Sequence, residues 1–157
     1  METVNDIMTT DVLSVRDDWS PDTLSQFFFD NQVSGAPVIN KDGNLVGVVS
    51  LTDLARSNTA PATSSRESNY HDYYHDSKMI HSISQEDLEL LEVESESMIT
   101  VKDIMTPVVF EVSLDTSIHK AAEMMLKGRI HRVLVTDNKK PIGIVTTMDM
   151  LKVIVHN

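Results

Sequence analysis

Ser50-Leu51-Thr52-Asp53 and Thr146-Thr147-Met148-Asp149 each close a β-rich run with a hydroxyl and place a carboxylate three residues later. Where a helix opens at such a stretch, its first N–H groups lack partners inside the helix and carry partial positive charge. Hydroxyl and backbone together then make a seat for phosphate. A carboxylate in the first turn can accept from a pair of vicinal hydroxyls, such as those of a ribose. The same Ser/Thr-x-x-Asp pattern is also a helix capping box, in which hydroxyl and carboxylate satisfy backbone donors. At the level of sequence both readings stay open. A second candidate is His131-Arg132, just before an apolar run. Arg offers forked donors and His can add another, which suits an anion; a solvated surface pair is the plainer alternative.

The elements that must position these residues occur twice. Val4-Asn5-Asp6-Ile7-Met8-Thr9 returns as Val101-Lys102-Asp103-Ile104-Met105-Thr106, and the same spacing carries Val15 onto Val112, Ser20 onto Ser117 and Val38 onto Val135. After one residue is lost at a turn, Gly47-Val48-Val49-Ser50 falls on Gly143-Ile144-Val145-Thr146, and Asp53 on Asp149. Such self-similarity is the signature of a repeated structural unit. Each copy reads as a short strand, a helix, two hairpin strands and a second helix. Ser20-Pro21 predicts an N-cap followed by proline at the first helical position. Leu24, Phe27 and Phe28 recur at helical spacing, as do Ile118, Ala121, Ala122 and Met125. Lys41-Asp42-Gly43-Asn44 supplies a hairpin turn between APVIN and LVGVVS.

A unit of about 55 residues is marginal alone. The expected fold is therefore α/β (α+β): two pseudo-twofold-related β-α-β-β-α units packed through their sheets. The expected boundaries are residues 1–57 for the first repeat, 58–98 for an insert and 99–157 for the second repeat. Within the insert, NTAPATSSRESN reads as flexible loop, and Ser84 with Asp87 predicts the start of a short acidic helix. Tyr70, Tyr73 and Tyr74 are expected to pack on the module or on a partner. His71 and His75 would share a helix face at a known metal spacing, but no third ligand is placed, and a polar linker is the preferred account. Met8, Met105, Met124, Met125 and Met148 read as adaptable core filling.

Composition narrows the function. A net charge of −11 over 157 residues leaves no basic footprint for nucleic acid and no polybasic membrane contact. The chain has no cysteine, begins with acids where a signal peptide needs a basic then apolar run, and holds no stretch long enough to span a membrane. A cytoplasmic location is expected. No nucleophile with a partnered base, no placed carboxylate pair and no closed metal set is found, so catalysis is not expected.

DIMT, GAPVIN, LVGVVSLTD, the second DIMT, HRVLV and IGIVTTMD together resemble a tandem pair of CBS domains, a Bateman module of the stand-alone regulatory type. The resemblance spans both repeats and leaves out only the insert. It implies a regulatory sensor that binds an adenine nucleotide, AMP, ADP or ATP, between its repeats, with no other cofactor. A homodimer and a separate protein effector are implied as partners.

Carried over from adenylate-binding gamma subunits of the AMP-activated kinase, the resemblance makes His131, Arg132 and Thr146 phosphate ligands and Asp149 the ribose acceptor. The base would lie near Thr9, Val12, Ser14, Val33 and Ser34. The pseudo-symmetric cleft would use Ser50, Asp53, Thr106, Val109 and Ile130. There Ser34-Gly35 stands where the other copy has His131-Arg132, and Glu111 stands where it has Ser14, so this second site is expected to be weak or empty. Two other readings are a ligand-free dimerisation or scaffold module, with Asp53 and Asp149 acting only as caps, and binding of another adenosyl ligand such as S-adenosylmethionine.

Overall fold

Ser20 Oγ accepts from the Thr23 N–H at 3.2 Å and Pro21 follows it, so helix α1 (Pro21–Asn31) starts where capping chemistry places it. The computed structural model describes residues 2–59, 71–75 and 99–156. The first repeat holds β1 (Val15–Arg16), α1, β2 (Gly35–Ile39), β3 (Leu45–Ser50) and α2 (Leu51–Thr59). From the insert comes a single described turn of helix, α3 (Asp72–His75). The second repeat opens with the short helix α4 (Val101–Ile104) and continues through β4 (Glu111–Ser113), α5 (Ile118–Gly128), β5 (Arg132–Asp137), β6 (Lys140–Thr146) and α6 (Thr147–His156).

Each repeat forms a three-stranded sheet, β1-β2-β3 and β4-β5-β6, with a parallel first pair and an antiparallel hairpin. In the first hairpin Gly43 takes φ of +85°, the left-handed conformation that the Asp-Gly turn requires. The two hairpin tips touch: Leu45 N–H donates to the Lys139 carbonyl at 2.7 Å, and Lys140 Nζ donates to the Asp42 carbonyl at 2.7 Å. α5 starts on Ser117, which accepts from the Lys120 N–H at 3.1 Å.

The repeated DIMT words do not stay in their own repeats. Thr9 exchanges two backbone hydrogen bonds with Ile144 of β6, both 2.9 Å, and Thr106 exchanges two with Val48 of β3, at 2.8 and 2.9 Å. Val4 N–H donates to the Thr116 carbonyl and Val101 N–H to the Trp19 carbonyl, each at 2.9 Å. Each leading segment thus crosses the pseudo-twofold axis and extends the sheet of the other repeat. The crossings demand glycine beneath them. A Cβ on Gly47 would meet the Thr106 carbonyl oxygen at 2.6 Å, and one on Gly143 would meet the Met8 sulfur.

The core follows from this exchange. Val15, Leu24, Phe28, Val38, Val49 and Leu54 pack with Val101, Ile104 and Met105 from the second copy. Val112, Ala121, Met125, Val133, Val135 and Val145 pack with Val4 from the first. Neither repeat completes its hydrophobic cluster alone, which is the physical reason for the duplication. Two expected features of the insert, the loop at its start and the acidic helix after Ser84, lie outside the described residues. The tyrosines that are described, Tyr73 and Tyr74, are buried in the second cluster.

Candidate functional site

Both Ser/Thr-x-x-Asp stretches form capping boxes. Asp53 Oδ2 accepts from the Ser50 N–H at 2.9 Å while Ser50 Oγ accepts from the Asp53 N–H at 3.3 Å. Asp149 Oδ2 accepts from the Thr146 N–H at 2.8 Å and from the Thr146 hydroxyl at 3.1 Å. Capping uses one carboxylate oxygen of each Asp and leaves the other, so the two sequence readings do not exclude each other. The Asp149 Oδ1 atom lies 3.9 Å from Lys152 Nζ.

Asp149 is buried but borders hollows at the surface. A hollow of about 310 Å³ is lined by Thr9, Asp11, Leu13, Val33, Gly35, Pro37, Tyr73, Arg132, Ile144 and Thr146. A neighbouring hollow of about 380 Å³ shares Thr9 and includes Asp6, Asp149, Lys152 and His156. Each falls within the size range of small-ligand clefts. Of the residues singled out from sequence, Thr9, Val33, Arg132 and Thr146 line the first hollow and Asp149 the second. Val12 and Ser14 are half-buried on the segment between Thr9 and β1, Ser34 is buried and His131 is exposed. Asp11, Leu13, Pro37 and Ile144 were not foreseen; Asp11 and Leu13 flank Val12 on the same extended segment.

Arg132 enters from the start of β5. Its Nη1 donates to the Tyr73 carbonyl at 3.3 Å, and its guanidinium carbon lies 4.9 Å from the centroid of the Tyr73 ring. The Tyr73 hydroxyl and Arg132 Nε are buried with no hydrogen-bond partner among the described residues. Burial pushes the Tyr73 phenol up to about 12, and the nearby Arg132 charge opposes part of that rise.

The pseudo-symmetric cleft is filled by the chain itself. His71 Nε2 lies 2.7 Å from Asp53 Oδ2, and both residues are buried. The Tyr74 hydroxyl donates to the Val108 carbonyl at 2.8 Å and accepts from the Phe110 N–H at 3.1 Å. Its ring packs edge-on to Phe110 with centroids 4.8 Å apart, and its own carbonyl accepts from the His131 N–H at 2.8 Å. Tyr74 shares its hydrophobic cluster with Ile130, Val48 and Val108. Ser50, Asp53 and Thr106 are buried, whereas Thr9, the counterpart of Thr106, is exposed. The signal for this in the sequence is YHDYYHD, an aromatic cluster between a small-polar stretch and an acidic one.

Among the described residues no group of three or more His, Asp or Glu side chains is arranged to hold a metal ion. No helix among them is long and apolar enough to cross a membrane.

The model of the CBS domain family matches residues 4–58 and again 101–156. A protein of Methanocaldococcus jannaschii, MJ1426, is 29% identical, over 97% of this chain and 90% of its own length. Other curated relatives are longer, and the chain spans 39% of one and 24% of another. Among solved structures, the CBS domain of a CBS-domain-containing membrane protein from Sphaerobacter thermophilus is similar with a TM-score of 0.66 at 29% identity, covering 96% of this chain and 86% of that one. The protein CBSX2, solved in complex with AMP, is similar with a TM-score of 0.65 at 26% identity, covering 99% of this chain and 98% of that one. Proteins of this kind are generally regulatory. With both repeats matched and the sheets related as the geometry requires, the chain belongs to the CBS domain family, as a tandem pair that forms a Bateman module.

Proposed function

We propose that this chain is a ligand-sensing regulatory module, not an enzyme, that binds one adenine nucleotide in the open cleft. The base lies against Thr9, Val12, Ser14, Val33 and Ser34, with Asp11 and Leu13 from the same segment. The ribose hydroxyls donate to Asp149 Oδ1, the oxygen not used for capping, and His131, Arg132 and Thr146 take the phosphate. The observation that carries this reading is the difference between two clefts of equivalent construction. One is filled by His71 and Tyr74, while the other is a hollow among the described residues, bordered by the only His-Arg pair in the chain. The AMP complex of CBSX2 supports adenylate as the ligand class.

The energy-sensing role follows if the ligand is AMP, ADP or ATP. A signal must then pass to a protein effector or through the geometry of a homodimer. The exposed apolar residues Leu126 on α5 and Met148, Leu151 and Val155 along one face of α6 support self-association. A cytoplasmic location fits a sensor of nucleotide levels.

Calorimetry with AMP, ADP and ATP on the wild type and on Asp149→Asn tests the reading. Saturable heat with one ligand per chain is expected, weakened by about tenfold or more in the variant, since asparagine keeps the cap but loses the charged acceptor. No heat with any nucleotide sinks the reading in favour of a ligand-free scaffold. Undiminished affinity in Asp149→Asn removes the ribose assignment.

A further inference from the structure

We infer that the second cleft is a nucleoside site kept closed by a surrogate built into the chain, with Tyr74 standing in for the base and His71 for the ribose. The cleft is capable of more than packing because its polar contacts are those of a ligand site. The Val108 carbonyl and Phe110 N–H present an acceptor and a donor two residues apart, and both are taken up by a single aromatic hydroxyl. Beyond them the Asp53 carboxylate receives the imidazole of His71 at 2.7 Å. An aromatic ring, a donor-acceptor pair on its rim and a neighbouring group that hydrogen-bonds a carboxylate are what a purine nucleoside presents.

The open cleft has the matching frame. Under the repeat spacing Asp11 and Leu13 are the counterparts of Val108 and Phe110, and Asp149 is the counterpart of Asp53. Asp11 and Leu13 line the first hollow and Asp149 the second, and among the described residues none is laid across them as Tyr74 is across Val108 and Phe110. Of the described insert residues, Tyr73 lines that cleft.

Charge selects the class of ligand. At the positions of His131 and Arg132 the closed cleft has Ser34 and Gly35, which offer no cation. Glu111 lies close enough to the Tyr74 phenol to help push its proton affinity up. A phosphate in this setting would be desolvated beside a carboxylate, so the site takes an uncharged purine nucleoside in preference to its phosphate. A site that is closed most of the time binds its ligand with affinity reduced by the open fraction. Weakening the surrogate must therefore strengthen binding by the same factor.

The proposal extends the nucleotide reading of the open cleft, but its test is separate because it counts a gain over the wild type. Adenosine and AMP are titrated into the wild type, Tyr74→Phe and His71→Ala/Tyr74→Ala, with stoichiometry from equilibrium dialysis. The double variant is expected to take up one more adenosine per chain than the wild type, and adding Asp53→Asn is expected to abolish the extra uptake. Tyr74→Phe keeps the shape of the plug and loses the hydroxyl, so it guards against a double variant that fails to fold. Its second-phase midpoint for adenosine is expected about tenfold below the wild type's. Equal uptake by the wild type and a folded double variant, or no second phase in Tyr74→Phe at any soluble adenosine concentration, overturns the proposal. Extra uptake of AMP at least as tight as that of adenosine overturns the nucleoside class. A wild type that binds nothing, with a variant that gains one adenosine, sinks the open-cleft reading and upholds this one.

Discussion

Asp53 and His71, 18 residues apart in sequence, meet at 2.7 Å between Oδ2 and Nε2, and both side chains are buried. The same Asp53 oxygen accepts from the Ser50 N–H at 2.9 Å, so one atom closes the N-terminus of α2 and anchors the insert. Asp149, its counterpart, caps α6 in the same way, and no described residue of the insert is hydrogen-bonded to it. His71, together with Tyr74, therefore marks one of two clefts built on the same capping box.

Removing that anchor destabilises the fold. His71→Ala leaves the Asp53 carboxylate buried with only its backbone and hydroxyl donors, and loss of a hydrogen bond to a buried charged group typically costs about 2 kcal/mol. A urea melt is expected to show a lower midpoint of that order. Asp53→Ala loses the cap as well and is expected to fall further.

The crossing segments predict an unequal pair of glycine variants. In Gly47→Ala the new Cβ meets the Thr106 carbonyl oxygen at 2.6 Å, a backbone atom held by hydrogen bonds to Val48. In Gly143→Ala the nearest atom is the sulfur of Met8, at the flexible end of a side chain that can turn away. Overpacking typically costs about 1–3 kcal/mol. Gly47→Ala is expected at the upper end and Gly143→Ala at the lower, with thermal denaturation as the check; the reverse order would mean the crossings are not equally rigid.

Arg132 predicts a split between phosphate and nucleoside recognition. Arg132→Leu removes the guanidinium from the open cleft, and a charge-assisted hydrogen bond of about 2 kcal/mol corresponds to a loss of roughly thirtyfold in AMP affinity. Adenosine, which lacks the phosphate, is expected to lose far less in the same titration. Equal losses for both ligands would place Arg132 in a structural role through Tyr73.

The buried tyrosines predict an alkaline limit. The Tyr73 phenol is raised from 10.0 to about 12 by burial, and that of Tyr74 is raised for the same leading reason. A group that holds its proton more tightly when folded contributes stability that is complete below the unfolded value. That contribution is lost as pH rises through the folded one. Unfolding free energy is therefore expected to decline from about pH 10 upward, by roughly 2–3 kcal/mol for a two-unit shift. Denaturant melts across that window, with tyrosinate absorbance read in parallel, check it. Tyr73→Phe is expected to flatten part of the decline.

Local grammar made much of this architecture legible. Ser20-Pro21, the Asp-Gly turn and both Ser/Thr-x-x-Asp boxes act over a few residues, so their residue types carried the helix starts and the hairpin. The exchange of the DIMT segments was not legible, because a backbone pair such as Thr9 with Ile144 leaves no mark on side-chain chemistry. The glycines beneath the crossings, Gly47 and Gly143, were visible only as repeated letters.

By itself, the sequence determined that two equivalent units exist, that each offers a hydroxyl-carboxylate box, and that only the second carries His131-Arg132. Those facts are periodic or local, and spacing is enough to express them. Which cleft is open was decided only in three dimensions. It rests on Tyr74 reaching Val108 and Phe110 across 34 and 36 residues and on His71 reaching Asp53. Such contacts depend on the shape and depth of a groove that does not exist until both repeats have exchanged their leading segments, and no pattern of residue types along the chain encodes that shape.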